Sequence, residues 1–92
     1  MDKCFFCGAT YGLDYHHIFG GANRKKSTKY GLIVPLCHFG CHEFGKDSIH
    51  DGYTALARDR RLQLHQYGQM KAMAEQGMTK EDFIREFGRN YL

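Results

Sequence analysis

Long apolar runs are missing from this sequence, and cysteine and proline are absent from its second half. No stretch approaches the ~18 apolar residues of a membrane span, and the start lacks the basic segment and apolar run of a signal peptide. We therefore expect a cytoplasmic protein with no membrane partner. Because disulfides rarely persist in a reducing compartment, clustered cysteines here favour metal binding.

The chain is short, with 92 residues, which predicts one domain. A chain of this length buries roughly two-thirds of its unfolded surface, and such a core is marginal without a disulfide, a metal or a partner subunit. Residues 1–50 hold all four cysteines, five of the six histidines and the only proline. We expect residues 1–50 to form the chemically active core and residues 51–92 a helical tail that packs on it, within a single domain.

The cysteines fall into two closely spaced pairs. Cys4 and Cys7 are separated by two residues, and Gly8 permits the tight turn that lets both thiolates reach one ion. Cys37 and Cys41 supply a second pair with three residues between them, a spacing found in structural zinc sites. Four thiolates close a tetrahedral site to water and substrate, so the predicted zinc is structural. Free buried thiols and two disulfides are the alternatives.

Positive charge is concentrated in one segment. The formal net charge is only +3, but six residues that contain no acid carry four cations: Arg24, Lys25, Lys26 and Lys29. A charge run is by default a solvated face. Because this run lies between two predicted strands, we interpret it as a nucleic-acid-binding segment that contacts phosphates without reading base sequence.

The first half of the chain predicts two strands and the connections around them. Residues Leu13–Ile18 and Leu32–Leu36 have the β-branched and apolar composition of short strands, and Pro35 places the second at an edge or a strand end. The segment Phe19–Gly31 is interpreted as a loop because it is rich in Gly, Ser and Lys. A short helix is expected after Cys41.

The second half predicts two helices. Tyr53–Gln76 has helical periodicity, and Gly77 suits its C-terminal cap. The stripe expected to pack on the core consists of Tyr53, Leu56, Ala57, Leu64, Tyr67, Met70 and Ala74. The next helix opens at Thr79, whose hydroxyl can accept the backbone N–H of Asp82, and ends near Gly88. Together with the two strands, these helices predict the α+β class.

A second group of residues, rich in histidine, offers candidate metal ligands and a candidate general base. It comprises Asp14-Tyr15-His16-His17-Ile18, Leu36-Cys37, Cys41-His42 and His50. The His-His-Ile, Leu-Cys and Cys-His elements resemble the HNH (His-Asn-His) endonuclease family. The likeness is closer to phage-associated recombination enhancement nucleases. It extends over most of the chain, through the runs His16-His17-Ile18-Phe19-Gly20-Gly21-Ala22-Asn23-Arg24-Lys25, Lys29-Tyr30-Gly31-Leu32 and Phe87-Gly88-Arg89-Asn90-Tyr91-Leu92.

This resemblance implies a fold and an activity. The fold would be a ββα-metal core that clamps one divalent cation against a scissile phosphate, and the activity would be phosphodiester hydrolysis of DNA. The general base would be His17, and the ligands of a catalytic Mg, Mn or other divalent ion would be His16, His42 and His50. The partners implied are DNA and a recombination protein, in a phage or bacterial cytoplasm.

Strand geometry constrains this assignment. Adjacent residues on a strand point to opposite faces, so His16 and His17 can face one site only with a bend near Phe19-Gly20. Asp14 shares the face of His16, either as an alternative ligand or as a carboxylate that orients a ligand.

Two features depart from the family pattern. The Asn that usually precedes the second strand is replaced by Tyr30-Gly31-Leu32, and Asn23 is assigned no catalytic part. The interval from His42 to His50 is long, so a loop must return His50 to the metal. His38 and His65 are interpreted as structural or exposed, with His38 as an alternative zinc ligand. The alternative functions are a catalytically inactive zinc-ribbon DNA-binding protein and a recombination accessory whose helical tail binds a partner.

Overall fold

The structure is a computed structural model that describes residues 2–92. These residues form a two-stranded sheet and three α-helices, with a short 3-10 helix, Gly21–Asn23, before the first of them. The elements in chain order are β1 Leu13–His17, α1 Arg24–Lys29, β2 Ile33–Cys37, α2 Ala55–Gln76 and α3 Lys80–Phe87. The small α+β architecture predicted from the sequence is therefore confirmed. No helix of the described range is long and apolar enough to cross a membrane.

The two strands pair antiparallel. The backbone N–H of His38 donates to the carbonyl of Gly12 (2.8 Å) at one end of the ladder, and that of Ile18 donates to Leu32 (3.0 Å) at the other. Side chains of β2 alternate in burial, with Val34 and Leu36 buried, as expected for a strand with one face on a core. The sheet thus fixes which side chains of β1 share a face.

The chain divides by its internal contacts into two units. Unit 1 comprises Met1–His16 and Ile33–Arg61, and unit 2 comprises His17–Leu32 and Leu62–Leu92. The buried side chains of unit 1 are small or sulfur-containing for the most part: Cys4, Val34, Leu36, Cys41, Ser48, Ile49 and Ala57. Those of unit 2 include more large apolar groups: Ile18, Phe19, Ser27, Leu32, Leu64, Gln69, Ala72, Phe83 and Phe87.

The segment predicted as a loop, Phe19–Gly31, is mostly helical, so that prediction was wrong. Its Ser27 side chain is buried and makes two hydrogen bonds to Phe19, accepting from the backbone N–H (3.0 Å) and donating to the carbonyl (2.7 Å). These bonds anchor α1 in unit 2. Gly20 and Gly21 do not interrupt α1, because they lie at the start of the 3-10 helix that precedes it.

The short helix expected after Cys41 is not formed, and residues 42–54 consist of turns and irregular structure. Phe44 in this segment has a left-handed backbone conformation, with φ 69°, which interrupts a helical path. A different framework holds the segment: Ile49 N–H donates to the Cys41 carbonyl (2.8 Å), and the Arg61 guanidinium donates to the Ile49 carbonyl (3.0 Å).

The two C-terminal helices match their predicted extents closely, but one predicted stripe was wrong. Helix α3 begins at the Thr79 cap, which accepts from Asp82 N–H (3.0 Å), and Gly88 ends it with φ 94°. Helix α2 starts at Ala55 rather than at Tyr53. Of the predicted stripe, only Ala57 and Leu64 are buried, and the members that are exposed are Tyr53, Leu56, Tyr67, Met70 and Ala74. The buried face of α2 instead includes the small and polar residues Gly68, Gln69 and Ala72.

Candidate metal-binding sites

The four cysteines lie together in unit 1. Their sulfur atoms are all within 4.8 Å of one another, and Cys7 Sγ and Cys37 Sγ are 3.7 Å apart. Four sulfurs held about 2.3 Å from one ion at tetrahedral angles would be spaced by ~3.8 Å. Gly8, at φ 78°, closes the first turn by donating to the Cys4 carbonyl (3.0 Å). All four are free thiols in the structure, and the group can hold a metal ion.

The local fold tunes these thiols in opposite directions. Burial opposes ionisation of Cys4, but hydrogen bonds from the backbone of Cys7 and Cys37 outweigh it and lower the pKa of Cys4 to about 6. Burial raises the pKa of Cys41, and neighbouring sulfurs raise it further. Cys4 is therefore favoured as a thiolate even without a cation. The four crowded sulfurs can ionise together only when a cation offsets their negative charge.

Three histidines form a second cluster in unit 1. His16 comes from β1, whereas His42 and His50 come from the irregular segment after β2, and one ring nitrogen from each lies within 4.8 Å of the others. The Nε2 atoms of His42 and His50 are 3.0 Å apart. Two imidazole nitrogens bound to one ion at about 2.0–2.1 Å would be spaced by ~2.9–3.4 Å, so this histidine triad fits a metal. His50 N–H donates to the His42 carbonyl (3.0 Å), which provides the required return of His50.

Asp14 connects the histidine triad to a histidine that sequence reasoning set aside. Asp14 Oδ2 is 2.8 Å from His42 Nδ1 and 2.5 Å from His38 Nδ1. The hydrogen bond from His38, followed by that from His42, lowers the pKa of Asp14. The bond to Asp14 in turn raises the pKa of His38. His38 lies beside Cys37 in sequence, but it pairs with Asp14 and is not part of the four-cysteine group.

The two nitrogens of His42 have different partners. Its Nδ1 faces Asp14, and its Nε2 faces His50. Ligand atoms of Asp14, His38 and His42 also lie within 4.8 Å of one another and could hold an ion. An ion there and a second ion in the triad would both bind His42, which would have to lose both ring protons to bridge them. A hydrogen bond from His42 Nδ1–H to Asp14 needs no such ionisation and leaves Nε2 as a ligand. We therefore interpret Asp14 as the carboxylate that orients His42.

The residue expected to act as general base, His17, belongs to unit 2. Its Nε2 is 3.0 Å from Thr28 Oγ1, and that hydroxyl is placed to donate to the Arg24 carbonyl (3.3 Å). The hydroxyl then accepts from His17 Nε2–H, which leaves His17 Nδ1 as the basic nitrogen. Burial lowers the pKa of His17, and the Arg24 guanidinium lowers it further, so the neutral form is favoured near neutral pH.

All four predicted phosphate-binding cations lie in α1, but their exposure and their contacts differ. Arg24, Lys25 and Lys29 are exposed. Lys26 is partly buried and is already engaged, because its ammonium contacts the Glu86 carboxylate (3.5 Å) and bonds the Glu86 carbonyl. Lys29 lies 5.2 Å from the centre of the Tyr30 ring.

Asn23, assigned no catalytic part, has a structural contact. Its side-chain amide donates to the Phe87 carbonyl (3.0 Å), which ties the start of α1 to the end of α3 within unit 2. His65, interpreted as structural or exposed, is partly buried in the same unit and stacks on Phe19 with ring centres 5.4 Å apart.

No family model, curated protein or solved structure matched this chain in the three comparisons with known proteins. The likeness to HNH nucleases therefore rests on the motif residues alone.

Proposed function

We propose that this protein is a metal-dependent endonuclease of the HNH type, which hydrolyses phosphodiester bonds of DNA with a histidine base and a bound divalent ion. The observation that carries the proposal is the cluster of His16, His42 and His50. Three imidazoles with one ring oriented by a carboxylate are typical of a metal centre that keeps positions open for other ligands.

The four-cysteine group would hold a structural zinc. Its all-sulfur composition and its 3.7 Å Cys7–Cys37 spacing support zinc over the oxygen-preferring cations. Such a site is closed and contributes folding energy rather than chemistry.

The histidine triad differs from the four-cysteine group in its donor atoms. Nitrogen donors suit zinc, nickel, cobalt and iron, whereas Mg prefers oxygen ligands. The sequence predicted Mg, Mn or another divalent cation, and the nitrogen donors favour a transition metal among these. When bound, the ion would neutralise the negative charge that builds up on the scissile phosphate.

The chain's own groups would perform the proton transfer and the substrate binding. His17, neutral and with Nδ1 free of its proton, is suited to accept a proton from water. Arg24, Lys25 and Lys29 are suited to contact phosphates, whereas Lys26 is held by Glu86. The proposed partners are DNA and a recombination protein.

A second candidate is a catalytically inactive zinc-dependent DNA-binding or recombination accessory protein. The missing helix after Cys41 supports it, because a ββα-metal core requires a helix at that point. The same observation weighs against a complete HNH core.

Plasmid nicking and degradation of single-stranded DNA, each with a series of divalent metals, test the proposal. We expect His17→Ala to lower cleavage by roughly 100-fold or more with DNA binding retained. His42→Ala should also lower cleavage, but added metal should partly restore it because a ligand was lost. Gln63→Ala, an exposed change on α2, is the matched control. Zinc-loaded wild type that cuts neither substrate with any metal would support the second candidate instead.

A further inference from the structure

A cleft in unit 1 lies beside the four-cysteine group and outside the histidine triad. Its volume is about 490 Å³, which is within the range of about 300–1,000 Å³ typical of small-molecule sites. The residues that line it are Cys7, Ala9, Tyr11, Gly12, Cys37, His38 and Phe39. Two of its aromatic side chains are largely exposed, Tyr11 by 82% and Phe39 by 75%.

The Phe39 ring is supported although it is exposed. Phe44 stacks on it with ring centres 5.4 Å apart and an interplanar angle of 27°, and the His38 ring meets it edge-on at 4.6 Å. These two ring contacts favour the exposed orientation of Phe39, which therefore presents an aromatic surface to solvent.

The backbone at Phe44 is strained in the conformation that supplies this stack. Phe44 has φ 69°, and in residues 2–92 it is the only non-glycine residue with a positive φ. Its N–H donates to Asp51 Oδ2 (2.7 Å), which holds the turn. Glycine would adopt this conformation without strain. The presence of Phe at position 44 therefore indicates that its aromatic ring has a role that offsets the backbone strain.

The charge of the cleft indicates which chemical group it suits. Cys7 and Cys37 border it, and thiolates that bound zinc would leave net negative charge there, which would repel phosphate. His38 also lines the cleft, but it is paired with the Asp14 carboxylate (2.5 Å), which offsets a positive charge on its ring. An uncharged planar group meets no such repulsion and can stack on an aromatic ring. His38, which lines the cleft, and His42 of the histidine triad both bond to Asp14 Oδ2 (2.5 Å and 2.8 Å), so the cleft and the triad are neighbours.

We propose that the cleft binds an unpaired nucleobase, stacked on Phe39, while a phosphate of the same strand lies at the histidine triad. This inference rests on the proposed nuclease function and names its substrate class as single-stranded or locally unpaired nucleic acid. A base inside a duplex is already stacked on both faces and must be extruded before it can enter a cleft. Stacking on an aromatic ring is tolerant of base identity.

The experiment uses the full chain loaded with zinc and no other divalent metal. Because the sequence contains no tryptophan, Phe39→Trp introduces a single reporter whose fluorescence a stacked base should quench. We expect quenching by a single-stranded oligonucleotide and not by the duplex of the same sequence. Phe39→Ala should weaken single-strand binding roughly 5- to 150-fold, the range typical for loss of one base–aromatic stack, and leave duplex binding unchanged.

Two further variants separate the ring from the fold. Phe44→Gly removes the supporting ring at a position whose backbone suits glycine, so it should weaken single-strand binding without loss of stability. Tyr53→Ala removes an equally exposed aromatic ring of unit 1 outside the cleft, and binding should not change.

The outcomes distinguish this inference from the proposed function. Equal losses for single strand and duplex, or no loss in Phe39→Ala, would overturn the base site even if the wild type cuts DNA. Quenching of the introduced indole that depends on protein concentration alone would assign the cleft to a second copy of the chain and overturn the inference. Selective loss of single-strand binding in a protein that cuts nothing would support the base site and reject the nuclease.

Discussion

Unit 1 and unit 2 differ in the side chains that they bury and in the charges that they carry. Unit 1 contains all four cysteines and four of the six histidines, and its acidic residues slightly exceed its basic ones, six against five. Unit 2 has eight Lys and Arg against four Asp and Glu, and its interior is a stack of aromatic rings around Phe19 and Phe83. The difference leads us to expect that unit 1 depends on a bound metal for stability and that unit 2 depends on apolar burial. The candidate metal ligands lie in unit 1, and most of the positive charge lies in unit 2.

The largest expected effect is the loss of a zinc ligand. Structural zinc contributes on the order of 10 kcal/mol, more than the total stability expected of so small a region, so Cys7→Ser should unfold unit 1. Hydrogen exchange read residue by residue, together with elemental analysis, measures it. Protection should disappear from β2 and residues 42–52, and zinc should fall below one equivalent. Thr10→Ser in the same segment is the control. A zinc-free protein with unit 1 still protected would remove the contrast between the units.

The next effect is in the aromatic core of unit 2. Phe83 is fully buried and its ring packs on Phe19 (5.6 Å) and Phe87 (4.6 Å). Phe83→Ala should cost about 3–5 kcal/mol of unfolding free energy by loss of burial and the cavity left behind. Denaturant unfolding measures it, with the zinc content expected to stay at that of the wild type. Ile84→Ala, on the neighbouring exposed position of α3, should cost much less, and equal costs would contradict the assigned core.

A smaller effect is expected from the carboxylate that orients His42. Asp14→Asn keeps the size of the side chain but removes the charge that both Asp14 hydrogen bonds use. The affinity of the histidine triad for a divalent metal should fall by about 10- to 100-fold, as loss of such outer partners typically does. Isothermal titration with zinc-loaded protein measures this affinity, with Asp59→Asn on α2 as the control. An unchanged affinity would mean that Asp14 serves only His38.

The smallest effect is the pH dependence that His65 contributes in unit 2. Burial lowers the pKa of His65 below its ordinary value of 6.5, and the Arg89 charge adds to this. As pH falls through 6.5, the unfolded chain takes up a proton that folded His65 does not. The contribution of His65 to stability is therefore complete above pH 6.5 and is lost as pH falls towards the lowered folded pKa, by up to about 1.4 kcal/mol per pH unit.

The matched variant for this dependence is His65→Phe, which keeps the stack on Phe19 without a titrating group. Its unfolding free energy should decline less steeply than that of the wild type between pH 6.5 and the lowered pKa. His17, whose pKa is also lowered, contributes the same sign in both proteins. Parallel declines would show that His65 is not the group responsible.

Local signals in the sequence predicted the parts of the fold that depend on neighbouring residues. The Thr79 cap and the Gly88 terminus of α3 were predictable because the residues that satisfy the helix ends lie within the same few positions. The two strands were recognisable from β-branched composition. Cysteine spacing likewise indicated a cluster that the structure brings together.

The features that sequence reasoning missed depend on distant partners. Burial of Gln69 is stabilised by Asn90 (2.8 Å) and by the backbone N–H of Tyr91 (2.7 Å), and no periodicity along α2 contains that information. His38 gained its partner across 24 positions, from Asp14 on β1. Helix α1 was missed because the Gly-, Ser- and Lys-rich composition of residues 19–31 indicated a loop, although Arg and Lys are good helix formers. The helix expected after Cys41 is absent, and the left-handed conformation of Phe44 that interrupts it could not be read from a residue type that rarely adopts it.

The sharing of one carboxylate oxygen by His38 and His42 couples three positions genetically. A substitution at residue 14 removes the acceptor of both rings, whereas a substitution of His38 leaves that acceptor to His42 alone. The effects of changes at these positions therefore should not add, and the phenotype of one allele will depend on which residue occupies the other two. Positions 14, 38 and 42 thus form one unit of epistasis, and a His38 change is expected to be tolerated best where Asp14 is retained.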